Sequence, residues 1–99
     1  MIAARRDEVL EILRRHKSEF ANRYGVTALG VFGSIARNDA TEASDVDVVV
    51  EMTKPDLFYL VHIKEALEEE FNRPVDVVSY GERMNRFMKK RIDQEMVYV

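Results

Sequence analysis

The sequence predicts an α/β (α+β) fold, a small mixed β-sheet covered by helices, and two observations carry that reading. Stretches with apolar residues at helical spacing alternate with short runs of β-branched residues, in the order helix, strand, strand, helix, strand, helix. The alternation fits within 99 residues, 46% hydrophobic and 33% charged, which is material for one core and predicts a single domain over residues 1–99.

From Arg5 to Tyr24, Val9, Leu10, Leu13, Phe20 and Tyr24 recur at helical spacing among charged residues, and Gly25 suits a C-terminal cap because it has no Cβ to oppose a left-handed backbone. Val26 to Phe32 is short, branched and aromatic, and it runs into Gly33-Ser34, the pattern of a strand ending in a tight turn. Ser34 to Arg37 can form a brief helical turn, and the polar stretch Asn38 to Ser44 reads as an exposed loop beside a binding face. In the second strand, Asp45 to Met52, alternation places Val46, Val48 and Val50 on one face and Asp45, Asp47 and Val49 on the other. The two carboxylates therefore project together.

Pro55 to Phe71 reads as the second long helix, with Leu57, Leu60, Val61, Leu67 and Phe71 apolar and Pro55 in its first turn. Val75 to Ser79 is a third short strand, and Met84, Phe87, Met88 and Ile92 mark a last amphipathic helix from Glu82 onward. Met96 to Val99 is read as a short extended segment. The run Leu57-Phe58-Tyr59-Leu60-Val61 is apolar around more of the helix than one stripe requires, so Phe58 or Tyr59 is a candidate interface residue, with core burial the default for most of the run.

Composition narrows the function classes. The absence of cysteine removes any disulfide framework or thiolate metal site, which makes a reducing cytoplasm the simplest setting. There is no signal-peptide pattern and no apolar run of transmembrane length, so no export and no membrane partner are expected. A net charge of -3 argues against direct nucleic-acid binding, which rests on cations that neutralise phosphates, but it leaves room for a nucleotide held through metal ions.

Two carboxylates two residues apart on a strand share a face and can hold a hard, oxygen-seeking cation, for which magnesium is the natural choice. Taken alone, Asp-x-Asp is an ordinary solvated strand face and Gly-Ser an ordinary turn. Here Gly33-Ser34 is followed after ten residues by Asp45-Val46-Asp47, with Ala36-Arg37, Ala40-Thr41 and Ser44 between them. This pattern resembles the signature of the polymerase-beta-type nucleotidyltransferases and, more narrowly, of the minimal nucleotidyltransferase (MNT) antitoxins that partner HEPN-type ribonuclease toxins. The likeness extends over nearly the whole chain, with one departure: Asn38 stands where such antitoxins often have glycine, and asparagine also tolerates a left-handed backbone.

The resemblance implies the nucleotidyltransferase fold, ATP as substrate and two Mg2+ ions held by Asp45, Asp47 and a third acid, for which Asp76 in Val75-Asp76-Val77-Val78 is the candidate. Asp76 would ligate the metal or take the proton of the acceptor hydroxyl; the bland alternative is a strand acid that faces solvent or pairs with an arginine. Two-metal sites hold their ions ~3.5–4 Å apart, one activating the attacking oxygen and one steadying the leaving group. Gly33 would let a phosphate approach the backbone, Ser34 and the amides after it would donate hydrogen bonds, and Arg37 would add fixed positive charge near the triphosphate or the acceptor.

The function that follows is a metal-dependent protein adenylyltransferase antitoxin that moves AMP from ATP to a hydroxyl, expected to be tyrosine, of its toxin. Two other readings stand beside it: an antitoxin that neutralises by binding alone, and a transferase of small molecules. A complete carboxylate set favours catalysis over the first, and the short chain leaves few walls for the acceptor required by the second. His16 and His62 lack ligand spacing, and the basic run Arg83, Arg86, Lys89, Lys90 and Arg91 has the solvated face of a helix as its default reading and a partner surface as its alternative.

Overall fold

The computed structural model describes residues 5–41, 43–81 and 83–99. Helix α1 spans Arg6–Tyr24, with Asp7 and Glu8 in the first turn and Arg23 in the last, each charge complementing the helix dipole. Gly25 ends it as expected, at φ 69°, its N–H donating to the carbonyls of Ala21 and Phe20. Strand β1 (Val26–Phe32) leads into a short helix α2 (Gly33–Arg37), which stops at Asn38 in the left-handed region at φ 63°. Asparagine thus fills the position where glycine is more usual.

Strand β2 is Val46–Met52, so Asp45 stands just before its first paired residue. Helix α3 runs Leu57–Phe71 and not from Pro55: the Asp56 carboxylate accepts from the backbone N–H groups of Phe58 and Tyr59, and this cap sets the start. Strand β3 is Val75–Ser79. Helix α4 is Arg86–Glu95, begun by the Asn85 side chain accepting from Phe87 and Met88 amides, so Met84 precedes the helix and Glu82, its expected start, lies outside the described residues. The tail does pair, as β4 (Val97–Tyr98).

The sheet order is β3-β2-β1-β4, with β2 and β3 parallel and the other neighbours antiparallel, so the sheet is mixed as the sequence predicts. One face, carrying Leu29, Val31, Val46, Val48, Val50 and Val75, packs against Val9, Leu13 and Phe20 of α1 and Ile63, Leu67 and Phe71 of α3. The other face is smaller, with Phe32 and Val49 covered by Ile92 of α4. Val49 is fully buried there, which is why β2 reads as a nearly continuous apolar run.

The expectation that most of the Leu57–Val61 run is buried fails. Leu57 and Phe58 are about three-quarters exposed, Tyr59 and Val61 are exposed too, and among these only Leu60 packs on the core. The stripe that faces the sheet is Ile63, Leu67 and Phe71, one residue every helical turn, and in the first turn of α3 Leu57 and Phe58 lie off that stripe while Tyr59 only leans its ring on Tyr24 of α1, 5.1 Å between centroids. Phe87 is likewise 81% exposed, because α4 turns Met88 and Ile92 inward and Phe87 lies off that stripe.

Gly30 decides whether the sheet closes at its edge. A Cβ there would stand 2.5 Å from the Val97 carbonyl oxygen and 2.8 Å from Tyr98 Cδ1, so β4 can lie against β1 only beside a glycine. Among the described residues no helix is long and apolar enough to cross a membrane. Gly30→Val is expected to cost about 1–3 kcal/mol in urea unfolding as an overpacking loss; an unchanged midpoint would show that β4 does not seat against β1.

Candidate active site

The register of the sheet assembles the site. Phe32 on β1 is opposite Asp47 on β2, and Asp47 is opposite Asp76 on β3, so these three residues form one row across the sheet. Paired residues share a face, and the face is that of Val49 and α4 because Val46, Val48 and Val75 occupy the other. Adjacent strands lie about 4.8 Å apart, which brings the two carboxylates abreast. Asp45, two residues before Asp47 on the same side, stands exposed at the mouth of the row.

The turn after β1 closes over Asp47. Gly33 is buried at φ 72°, and a Cβ on it would collide with Asp47 Oδ2, so both the backbone angle and the close approach require glycine. Ser34 is half-buried in the first turn of α2, and its hydroxyl has no hydrogen-bond partner among the described residues. Arg37, exposed at the end of α2, donates from Nε to Asp39 Oδ2 at 3.2 Å and from Nη1 to Glu95 Oε1 at 3.0 Å. All six residues singled out from the sequence thus lie around the end of β1 and the starts of β2 and β3.

Two further residues belong to this group and were not read as such from the sequence. Arg91, assigned to a solvated basic face, lays its guanidinium over the Phe32 ring at 5.8 Å and acts on the Asp47 charge. Glu95, which carried no signal of its own, accepts from the Gly33 N–H at 3.0 Å, from Arg37, and from Arg91 Nε at 3.4 Å. The available hint was Arg91 and Glu95 at helical i,i+4 spacing, but nothing local connects that pair to Gly33.

Burial lifts the Asp47 carboxyl above the ordinary carboxylate range, Asp76 and Asp45 push it further up, and Arg91 and Arg37 pull against them. Three acids drawn together with so little direct pairing make an all-oxygen donor set of the kind magnesium takes. As the side chains stand, no three Asp, Glu or His among the described residues close around a common point. Their all-oxygen chemistry would nevertheless suit a hard divalent cation, which Asp47, Asp76 and Asp45 would hold.

A raised carboxyl pKa in the folded state favours the protonated form, so this group's contribution to stability is present at low pH and is lost as pH rises through the folded pKa. Asp47→Asn is accordingly expected to melt higher than the wild-type protein at neutral pH in a chelating buffer, by up to about 4 °C. The difference should shrink as pH is lowered through the Asp47 pKa. Equal melting curves at both ends of the range would show that Asp47 carries no such strain.

Residues 13–99 match the family described as a nucleotidyltransferase domain. The chain is 37% identical over 94 residues to protein adenylyltransferase MntA of Thermococcus cleftensis, covering 94% of each, and 34% identical over 93 residues to a candidate protein adenylyltransferase of Methanocaldococcus jannaschii, covering 93% of this chain and 95% of that one. Among solved structures it is similar to a candidate minimal nucleotidyltransferase, at 33% identity and a TM-score of 0.68, covering 89% of this chain and 93% of that one. It shares the fold of a toxin-antitoxin structure with AMP-PNP, at 16% identity and a TM-score of 0.70, covering 94% of this chain and 70% of that one. With the match spanning nearly the whole chain and the carboxylate row set under the Gly33-Ser34 turn, the protein belongs to the nucleotidyltransferase domain family and is a nucleotidyltransferase.

Proposed function

We propose that the chain is a metal-dependent antitoxin that transfers AMP from ATP to a tyrosine hydroxyl of a partner HEPN-type ribonuclease toxin. The observation that carries this reading is the row of Asp47 and Asp76, abreast on parallel strands, with Asp45 at its mouth and the Gly33-Ser34 turn above it. The relatives named protein adenylyltransferase support a protein acceptor, and the structural neighbours solved as toxin-antitoxin pairs support a toxin as that protein.

Magnesium, when bound, would neutralise charge on the triphosphate and lower the cost of forming the attacking phenoxide of the acceptor tyrosine. The residues of the chain do the rest. Gly33 leaves room for a phosphate against the backbone, the Ser34 hydroxyl and the amides that follow it donate to phosphate oxygens, and Arg37 offsets negative charge from the rim. The acceptor oxygen bonds to the α-phosphorus of ATP as the bond from that phosphorus to pyrophosphate breaks. Asp76 would either help Asp47 hold the ion, with the hydroxyl proton passing to solvent, or take that proton itself. The adenylyl group adds bulk and negative charge where a ribonuclease must admit RNA phosphates, so repulsion and obstruction act together.

A reading in which the antitoxin neutralises by binding alone draws support from the exposed Leu57 and Phe58, an apolar surface of the kind a protein partner covers. Intact mass of the toxin, after incubation with this protein, ATP and magnesium, separates the two. Adenylyl mass added by wild type and not by the Asp45→Asn, Asp47→Asn double variant is the expected result; tight complex formation by both with no added mass would leave binding alone. Asp76→Asn is expected to lower transfer by at least about 100-fold with its melting curve preserved, and unchanged transfer would remove Asp76 from the site.

A further inference from the structure

Glu95 holds a position that neither the motif nor the proposed chemistry explains. It is the last residue of α4, its side chain is only 21% exposed, and a single oxygen, Oε1, accepts from three donors: the Gly33 N–H at 3.0 Å, Arg37 Nη1 at 3.0 Å and Arg91 Nε at 3.4 Å. Such hydrogen bonds to an ionised acceptor are roughly twice as strong as neutral ones. The β1–β4 register delivers the carboxylate there. Gly30 pairs with Tyr98 and Val31 with Val97, so β4 lies beside the end of β1, and α4, which ends one residue before β4, finishes next to the Gly33 turn.

The two arginines it holds are the cations that act on Asp47. Arg37 is stretched between Asp39 and Glu95, and Arg91 between Glu95 and the Phe32 ring; among the described residues neither forms an ion pair with Asp45, Asp47 or Asp76. This restraint is needed because Arg91 lies close to its alternative partner. Its Nη2 is 3.5 Å from the point where a Gly33 Cβ would be, and that same point touches Asp47 Oδ2. Without the carboxylate of Glu95, the arginine nearest the row would be free to close onto Asp47, occupying the oxygens that the reaction needs.

We infer that Glu95 is a positioning residue of the active site, fastening the Gly33-Ser34 turn and holding Arg37 and Arg91 beside the Asp47–Asp76 row but off its carboxylates. It acts through those groups and touches no reacting atom. The rival idea, that Glu95 is a placeholder anion that a phosphate must expel, makes the opposite demand: its contact with Gly33 would have to break whenever nucleotide binds.

The inference rests on the proposed adenylyl transfer for its kinetic readout alone. Glu95→Gln is expected to lower kcat for transfer to the toxin by tenfold or more, with KM for ATP changed by less than about threefold and no gain in calorimetric affinity for a non-hydrolysable ATP analogue with magnesium. In an Arg37→Ala, Arg91→Ala background the same change should cost less than about twofold more, because glutamine keeps an oxygen that can accept from the Gly33 N–H and what it loses is the charge that holds the arginines. An undiminished kcat, a tighter ATP analogue, or a full additional loss in that background would each overturn it. The Gly33 amide, one of only four glycine signals in a proton–nitrogen spectrum, gives a test that needs neither transfer nor the variant. Its hydrogen bond to a carboxylate is expected to place it at low field in the wild-type protein and to keep it there when the ATP analogue and magnesium saturate the site; an ordinary position, or loss of the low-field one on saturation, would overturn the inference even if Glu95→Gln did not fold or the toxin proved not to be the acceptor.

Discussion

Asp47 and Asp76 meet because β2 and β3 run parallel in the register that turns Val46, Val48 and Val75 toward α1 and α3. Side chains alternate with a period of two, so burying those valines commits the residues between them to the opposite face, and a slip of one residue would exchange the two sets. The same burial that holds the sheet to its helices therefore aims the carboxylates. Nothing has to select the acids directly: the penalty for exposing a row of valines does it.

That arrangement works against stability at the row itself. Asp47 loses water to burial and faces the charges of Asp76 and Asp45, with relief only from two arginines that do not touch it. A site that must receive a cation and a triphosphate has to keep its acids unpaired beforehand, and the core of Leu13, Phe20, Leu67 and Phe71 on the far face supplies the burial that tolerates this. From Val46 to Val50 the strand is thus apolar on both sides except at Asp47.

The second face of the sheet divides its work between packing and charge. Ile92 covers Phe32 and Val49, while Arg91 and Glu95 on the same helix reach the Gly33 turn. Tyr80, just past the end of β3, anchors the helix, its hydroxyl donating to Asp93 Oδ1 at 2.6 Å, and the Asp93 carboxylate raises the Tyr80 pKa. At the far edge Gly30 admits β4, whose pairing fixes where α4 ends. On the opposite face, His16 of α1 lies within hydrogen-bonding distance of both Glu19 and Glu70, at 3.2 and 3.1 Å, linking α1 to α3 in a structural role that agrees with its lack of ligand spacing.

What the residues determine by themselves is local. Gly25 and Asn38 stop helices because their short side chains permit a left-handed backbone, and Asp45 and Asp47 share a face because strand geometry alternates; each follows from sterics within a few residues. The Gly33-Ser34 and Asp-x-Asp spacing was legible through its resemblance to a family signature, since taken alone one half is an ordinary turn and the other an ordinary strand face. Phe58 and Tyr59 stood out as more apolar surface than one stripe needs, and both are exposed, but the exposure of Leu57, Val61 and Phe87 was not legible, since apolar residues on a helix say how many faces could be buried and not which neighbour arrives. The Glu95–Gly33 contact, 62 residues apart, lay further still beyond local reading. Only the tertiary structure decides it, because the register of β4 on β1 comes from the summed burial of the whole sheet, and no short window of sequence contains that sum.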